Sequence, residues 1–212
     1  MATLRLGDTA PDFTAQTTQG EINFHEWLGD SWGILFSHPS DFTPVCTTEL
    51  GYMSRIKDKF DDRNTKILAI SVDPVDSHLD WIKDINETQS TTVDYPIIAD
   101  ENREVAMLYD MIHPNADSKN TVRSVFVIGP DKKVKLMLTY PPSTGRNFDE
   151  ILRVVDSLQL TEYEQVSTPA NWVEGEEVVI GGSVSNEEAE KRFPGYRTIK
   201  PYLRMTKIQK SK

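Results

Sequence analysis

Cys46 is the only cysteine in the chain, and its neighbours decide what it can do. One cysteine closes no internal disulfide, and there is no C-x-x-C pair for dithiol exchange. A lone thiol is either a small buried hydrophobe or a reactive centre. The run His38-Pro39-Ser40-Asp41-Phe42-Thr43-Pro44-Val45-Cys46-Thr47-Thr48-Glu49-Leu50 favours the reactive centre. Thr43 followed by Pro44 marks a helix start, with a hydroxyl residue at the cap and proline at the first helical position. Cys46 then falls in the first turn, where free backbone N–H groups and the positive end of the helix dipole favour a thiolate. The Thr43 hydroxyl is expected in the same turn, in reach of the sulfur or of an oxygen bound beside it.

A thiolate alone does not make a fast catalyst. A free thiol with a pKa of about 8.5 is roughly 3% ionised at neutral pH, so lowering the pKa gains about thirty-fold at most. The lower basicity takes back part of that gain in nucleophilicity. Donors must also stabilise a leaving oxygen, and a guanidinium suits that task because it is always charged and offers several N–H groups. Cysteine-based zinc sites are excluded, and His25, His38, His78 and His113 show no metal-ligand spacing, so no metal or other cofactor is expected. His38 precedes Cys46 by eight residues, which raises a cysteine hydrolase, but the sequence offers no evident partner to orient the histidine.

The elements that must position these residues follow from periodicity. Trp32 to His38 is an apolar run that suits a buried strand, and Leu50, Met53, Ile56, Lys57 and Phe60 then fall at helical spacing. Lys66 to Val72 reads as a second buried strand and Asp76 to Glu87 as a helix with Leu79, Ile82 and Ile85 on one face. Tyr95 to Ala99 is a third strand and Arg103 to Met111 another helix. Ser124 to Ile128 and Val134 to Tyr140 flank the turn Gly129-Pro130-Asp131-Lys132-Lys133 and form a hairpin. Asn147 and Glu150 resemble a capping box ahead of a helix with Phe148, Ile151, Leu152, Val155 and Leu158 on its apolar face. This order implies an α/β layer fold whose mixed sheet is covered by helices on both faces. Thr168 to Trp172 reads as a linker, so residues 1–164 form the main domain and 165–212 a small C-terminal domain or arm.

Composition narrows the partners. With 212 residues, 38% hydrophobic and 26% charged, the chain has the balance of a soluble globular protein. No apolar stretch reaches the length of a membrane span or a signal peptide, which points to the cytoplasm. A net charge of −10 argues against nucleic acid as a partner. The tail carries Lys200, Arg204, Lys207, Lys210 and Lys212 without an acid. It reads as a solvated, partly mobile terminus, with weak contact to anionic lipid as the lesser alternative.

The same residues resemble a known family. Pro39, Thr43 and Cys46 match the Pro-x-x-x-Thr-x-x-Cys pattern of peroxiredoxins, and Gly29 to Pro39 is similar to the one-cysteine, peroxiredoxin-six-type subgroup. Arg123 before Val125-Phe126-Val127, the turn at Gly129, and Tyr140-Pro141 with Thr144-Gly145-Arg146-Asn147-Phe148 extend the likeness over nearly the whole chain. The resemblance implies a thioredoxin-like fold, a homodimer, and an antioxidant thiol peroxidase acting on hydrogen peroxide and organic or lipid hydroperoxides. It makes Cys46 the nucleophile, shielded by Pro39, with Thr43 and Arg123 orienting the peroxide and Glu49 positioning the arginine. Arg146 corresponds to a second arginine of the site, and His38 to the residue before the signature proline. A sulfenic acid would form on Cys46, and an external thiol or other reductant would regenerate it.

Two other readings come with the resemblance. Gly29-Asp30-Ser31-Trp32-Gly33 has the G-x-S-x-G form, and by analogy with animal members of the subgroup Ser31, His25 and Asp131 would serve a phospholipase-type activity. A nucleophile elbow needs its strand before the serine, whereas Ser31 precedes the strand here. A thioredoxin-like binding or chaperone module without chemistry is the non-enzymatic alternative, and it has no need of Thr43, Cys46 and Arg123 together.

Overall fold

The computed structural model describes residues 4–117 and 119–208. Two compact units divide the chain, Met1–Phe148 and Asp149–Lys212.

The first unit opens with a hairpin of β1 (Thr14–Thr17) and β2 (Gly20–Asn23), followed by the short helix α1 (Phe24–Leu28). Strand β3 (Trp32–Ser37) leads through a loop to α2 (Pro44–Arg55) and α3 (Lys57–Asp61). Strand β4 (Thr65–Ser71), helix α4 (Val75–Gln89), strand β5 (Ile97–Ala99) and helix α5 (Glu104–Leu108) follow, and β6 (Arg123–Ile128) with β7 (Val134–Tyr140) completes the sheet. The strand order is β2-β1-β5-β4-β3-β6-β7. Strands β3, β4 and β5 run parallel, while β6 joins β3 antiparallel and pairs with β7 as a hairpin. This is a mixed sheet flanked by helices, the thioredoxin-like arrangement.

Alternation along β3 sorts its side chains between two faces. Leu35 joins Leu68, Ile70, Ile98 and Phe126 in a core closed by Phe24 and Leu28 of α1 and by Val105 and Ala106 of α5. Phe36, one residue on, meets Tyr95 at 6.2 Å and Phe148 at 5.7 Å between ring centroids. Helices α2 and α4 pack against each other, and a Cβ at Gly51 of α2 would lie 2.5 Å from Gln89 Cβ, so the close crossing needs glycine there. The chain order therefore puts the start of α2 just beyond the carboxyl end of β3.

Several expectations need correction. The helix read through Phe60 breaks at Ile56, whose N–H is shared between the carbonyls of Tyr52 and Met53 in a tightened last turn. Phe60 stays buried on α3, which preserved the spacing across the break. The strand expected from Tyr95 begins at Ile97, because Pro96 has no N–H to enter a ladder. Arg103 is not helical: it adopts φ 61° as the residue before α5, and the Asp100 carboxylate caps that helix through the N–H groups of Val105 and Ala106. On α4 the buried face is His78, Trp81 and Ile85, while Leu79 is 42% exposed. The β1–β2 hairpin and α1 have no strong periodicity in the sequence to disclose them.

In the second unit, α6 (Phe148–Glu164) leads into a small sheet of β8 (Val166–Ser167), β9 (Val178–Ile180), β10 (Arg197–Lys200) and β11 (Leu203–Thr206), with α7 (Asn186–Arg192) between β9 and β10. Val166, Trp172, Val178, Ile180, Val184, Ala189 and Phe193 form its own core. The stretch read as a linker is therefore structural: Thr168 bonds Ser157 at 2.6 Å, Trp172 is buried, and the Trp172 carbonyl accepts from Arg153. The basic tail is also corrected in part. Arg204 is buried and donates to Asn186 Oδ1 and to the carbonyls of Gly181 and Val184, so it is a packing residue. Lys210 and Lys212 lie outside the described residues.

Candidate active site

Helix α2 starts where the sequence places it, with Thr43 at the cap and Pro44 first in the helix. The cap works differently from expectation. The Thr43 hydroxyl donates to the Ser40 carbonyl at 2.8 Å and makes no bond to the first helical N–H groups. It therefore ties the loop ahead of the helix and leaves the first-turn N–H groups uncapped by the Thr43 side chain. Phe42 between them holds φ 53°, a strained left-handed conformation for a bulky residue, with its side chain 55% exposed. Pro39 is half-buried at the start of this loop.

Cys46 is fully buried. Its sulfur receives Arg123 Nη1 at 3.3 Å. Glu49 lies one helical turn after Cys46 on the same face of α2, and its carboxylate organises two arginines. Arg123 Nη1 donates to Glu49 Oε2 at 2.7 Å, and Arg123 Nε and Nη2 both donate to the Pro142 carbonyl, at 3.0 and 2.7 Å. Arg146 donates to Glu49 through its backbone N–H at 2.8 Å, through Nε at 2.9 Å, and through Nη2 at 2.6 Å. Its Nη1 reaches the carbonyls of Ser37 on β3 and Ser124 on β6, and the guanidinium lies over Phe36 and Phe148 at 5.0 and 5.3 Å. Burial alone would push the Glu49 carboxyl up, but the Arg146 and Arg123 contacts hold it below the usual carboxylate range. The result is one carboxylate between two guanidiniums, with net positive charge beside the sulfur.

A second buried cluster adjoins this one. His38 is fully buried at the end of β3 and places Nε2 2.9 Å from Asp41 Oδ1. His78 of α4 places Nδ1 2.7 Å from Asp41 Oδ2, which also accepts from Ser77 Oγ at 2.8 Å. Burial would raise the Asp41 carboxyl, but the hydrogen bonds and charges of His38 and His78 hold it far below the usual range. Burial lowers His38 and outweighs the Asp41 contact that would raise it. Sequence spacing gave these histidines no metal set, yet the fold brings one ligand atom each from His38, Asp41 and His78 within 4.8 Å of one another. That set could hold a divalent cation, although hydrogen-bond distances of 2.7 and 2.9 Å already account for the contacts. Asp41 and His78 carried no motif: the helical spacing of His78 with Trp81 and Ile85 was the one signal for His78, and Asp41, on a loop, had none.

The hydrolase residues are not assembled. Ser31 precedes β3 and donates to Asn64 Oδ1 at 2.9 Å. His25 places Nε2 2.8 Å from the Ala10 carbonyl, and Asp131 accepts from Lys135 Nζ and from the Lys133 N–H. No hydrogen bond joins any two of the three among the described residues, so the phospholipase reading has no geometric support.

A thioredoxin-like sheet that holds a buried thiol at a helix start beside a fixed arginine defines a thiol-dependent peroxidase. Comparison with known proteins agrees. Residues 6–137 match the AhpC/TSA family model, and residues 157–195 match the C-terminal domain of 1-Cys peroxiredoxin. A 1-Cys peroxiredoxin of Dictyostelium discoideum is 56% identical over 96% of this chain and 85% of its own length. Human peroxiredoxin-6 is 55% identical over 90% of this chain and 89% of its own. A solved structure of the yeast mitochondrial 1-Cys peroxiredoxin, which concerns thiol resolution through glutathione and thioredoxin systems, superposes with a TM-score of 0.92 at 52% identity, covering 97% of this chain and all of that one. The chain belongs to the AhpC/TSA family and, within it, to the one-cysteine peroxiredoxins.

Proposed function

We propose that Cys46 carries the peroxidase reaction with Thr43, Arg123 and Pro39 as its immediate partners and with Glu49, Arg146 and His38 in support. The Cys46 thiolate attacks one peroxide oxygen. The S–O bond forms as the O–O bond breaks, the sulfur gives up two electrons, and the leaving oxygen takes a proton and departs as water or alcohol. The Arg123 guanidinium faces the developing charge without reorganising, because Glu49 and Pro142 hold it. The observation that carries this reading is the 3.3 Å approach of Arg123 Nη1 to the sulfur. The sulfenic acid then condenses with an external thiol to a mixed disulfide and water, and a second thiol releases Cys46. Glutathione and a thioredoxin system, the reductants linked to the yeast relative, are the first candidates.

Stopped-flow mixing of reduced protein with one equivalent of hydrogen peroxide, followed by tryptophan fluorescence, tests the site. Trp81 is suited to report, since it donates to Thr47 at 3.1 Å and packs on His38 at 5.1 Å. A fast transient lost in Cys46→Ser supports the reading, and a rate equal to that of a free thiol overturns it.

The same reading makes the protein a homodimer, with β7 closing one edge of the sheet and residues 165–212 acting as a dimerisation arm. Sedimentation velocity that gives one monomeric species at micromolar concentration would remove it. It also places the chain in the cytoplasm, where thiol reductants are plentiful. The mitochondrial yeast relative marks the competing compartment, and cell fractionation separates the two.

A further inference from the structure

The cluster behind the loop has a charge state that its geometry dictates. Both nitrogens of His78 face acceptors: Nδ1 faces the Asp41 carboxylate at 2.7 Å and Nε2 faces the Ile98 carbonyl at 3.1 Å. Neither acceptor can donate while Asp41 is ionised, so the His78 ring needs both of its protons. His78 and Asp41 then form a buried imidazolium–carboxylate pair between α4 and the loop before α2. His38 donates to the other carboxylate oxygen through Nε2, and its Nδ1 is buried with no protein partner among the described residues. That is the neutral Nε2–H tautomer, with a bare lone pair on the residue next to Pro39. Asp73, after β4, also lies against the cluster, and its carboxylate accepts the Asp41 backbone N–H at 3.0 Å and the Ser71 hydroxyl at 2.7 Å. Asp41 is thus held at its main chain and at both carboxylate oxygens. It is also the residue immediately before Phe42, whose φ of 53° must be imposed from outside, and two residues before Thr43.

We propose that Asp41 and His78 are positioning residues of the peroxidase site: their buried ion pair holds the chain from His38 to Thr43 in the strained form that fixes the His38 tautomer and sets where Pro39 and Thr43 lie at the start of the helix that carries Cys46. This rests on the site reading above and extends it to two residues that do not contact the sulfur. The pair acts on recognition of the peroxide and leaves the ionisation of Cys46 to α2 and Arg123. Asp41→Asn keeps the shape but removes the counter-charge of His78, and it lets the amide present a donor where a carboxylate oxygen accepted. An orienting carboxylate replaced in this way can cost far more than its size suggests, because it releases the wrong histidine tautomer.

Two measurements decide the matter. The first is ¹⁵N NMR of the histidine rings in the wild-type protein. His78 is expected to carry a proton on each ring nitrogen, both of which face acceptors, and His38 to carry its proton on Nε2 with Nδ1 bare. A His78 ring that carries a single proton in the folded protein overturns the proposal without any mutant having to fold. The second compares two reactions of the same thiol in Asp41→Asn and His78→Gln. The second-order rate with hydrogen peroxide should fall about tenfold or more, while alkylation by iodoacetamide stays within about twofold of wild type. A peroxide rate also within about twofold, or equal losses in both reactions, refutes a positioning role. Failure of the underlying site reading looks different: the wild-type protein itself would then react with peroxide no faster than a free thiol, while the NMR arm still decides the ion pair.

Discussion

Arg123 holds one terminal nitrogen 3.3 Å from the Cys46 sulfur, although the two residues stand on different elements far apart in the chain. The same nitrogen is bonded to Glu49, and the other two guanidinium nitrogens meet on the Pro142 carbonyl. The positive charge is therefore fixed before a substrate arrives, which is the condition under which a buried donor stabilises a transition state most.

Replacing Arg123 with lysine tests the fork as distinct from the charge. An ammonium can reach either the sulfur or Glu49 but cannot also make two bonds to Pro142. The peroxide rate of Arg123→Lys should fall by about a hundredfold to a thousandfold, the loss expected for one preorganised donor. Stopped-flow fluorescence reads it, and a loss below about threefold would mean that charge alone suffices.

Glu49 is the common anchor of both arginines, so its removal should harm stability as well as rate. Glu49→Gln leaves Arg123 and Arg146 buried without their counter-charge, a change that costs about 3–5 kcal/mol when one partner of a buried pair is lost. Urea unfolding at pH 7 measures it. Retention of full stability would place the arginines in contact with water that the fold gives no sign of admitting.

Acid should act on the same group. The Glu49 carboxyl is held below its ordinary value of 4.5, since the pull of Arg146 and Arg123 outweighs burial. A lowered folded-state pKa contributes stability that is complete above the unfolded value and is lost as pH falls through the folded one. Asp41, depressed by His38 and His78 against the push of burial, has the same sign. The contribution of these two carboxylates should therefore be complete above about pH 4.5 and be lost below it. It follows the earlier loss from His38, which burial keeps neutral and which costs stability as pH falls through its ordinary value of 6.5. Glu49→Gln should flatten part of the lower decline. Urea midpoints at pH 7, 4 and 3 for both proteins provide the comparison.

How far the sequence disclosed this site depends on whether each signal was local. Thr43-Pro44 and the position of Cys46 three residues after the cap are local, and they located the start of α2 and the buried thiol at once. Strands β3, β4 and β6 were legible because burial on both faces leaves largely apolar runs, and β7, only half-buried at the sheet edge, because the turn from Gly129 to Lys133 marks its hairpin with β6. Arg123 and Arg146 entered only through family resemblance, because what distinguishes a buried arginine is its partner Glu49, which lies in a distant part of the chain. His78 was misjudged for a related reason. Hydrophobic spacing chose Leu79 for the inner face of α4, while the fold turns His78 inward to pair with Asp41 and leaves Leu79 at the surface. A buried ion pair has no hydrophobic periodicity, so pattern reading passes over it.

Thr43 separates hydroxyl chemistry from helix capping. Its Oγ1 donates to Ser40 and makes no bond to the helix, so Thr43→Val should leave α2 and global stability within about 1 kcal/mol, the worth of one hydrogen bond. It should nevertheless slow peroxide reduction, because the loop ahead of the helix loses its tie to Ser40. Thr43→Ser should recover most of the rate. Equal rates in valine and serine variants would confine Thr43 to a structural part.

The single cysteine sets the fate of the oxidised enzyme. Once Cys46 is a sulfenic acid, no other thiol in the chain can condense with it, so the oxidised sulfur waits for an external thiol or for more peroxide. In excess hydrogen peroxide without reductant, intact mass should rise by two and then three oxygens, located at Cys46, with activity lost in step. Adding glutathione first should divert the protein to a mixed disulfide and protect that activity. A mass that stops at one oxygen under peroxide excess would mean that the fully buried sulfur beside Arg123 shuts out the second oxidant, and over-oxidation would then be controlled by burial and not by the cysteine count.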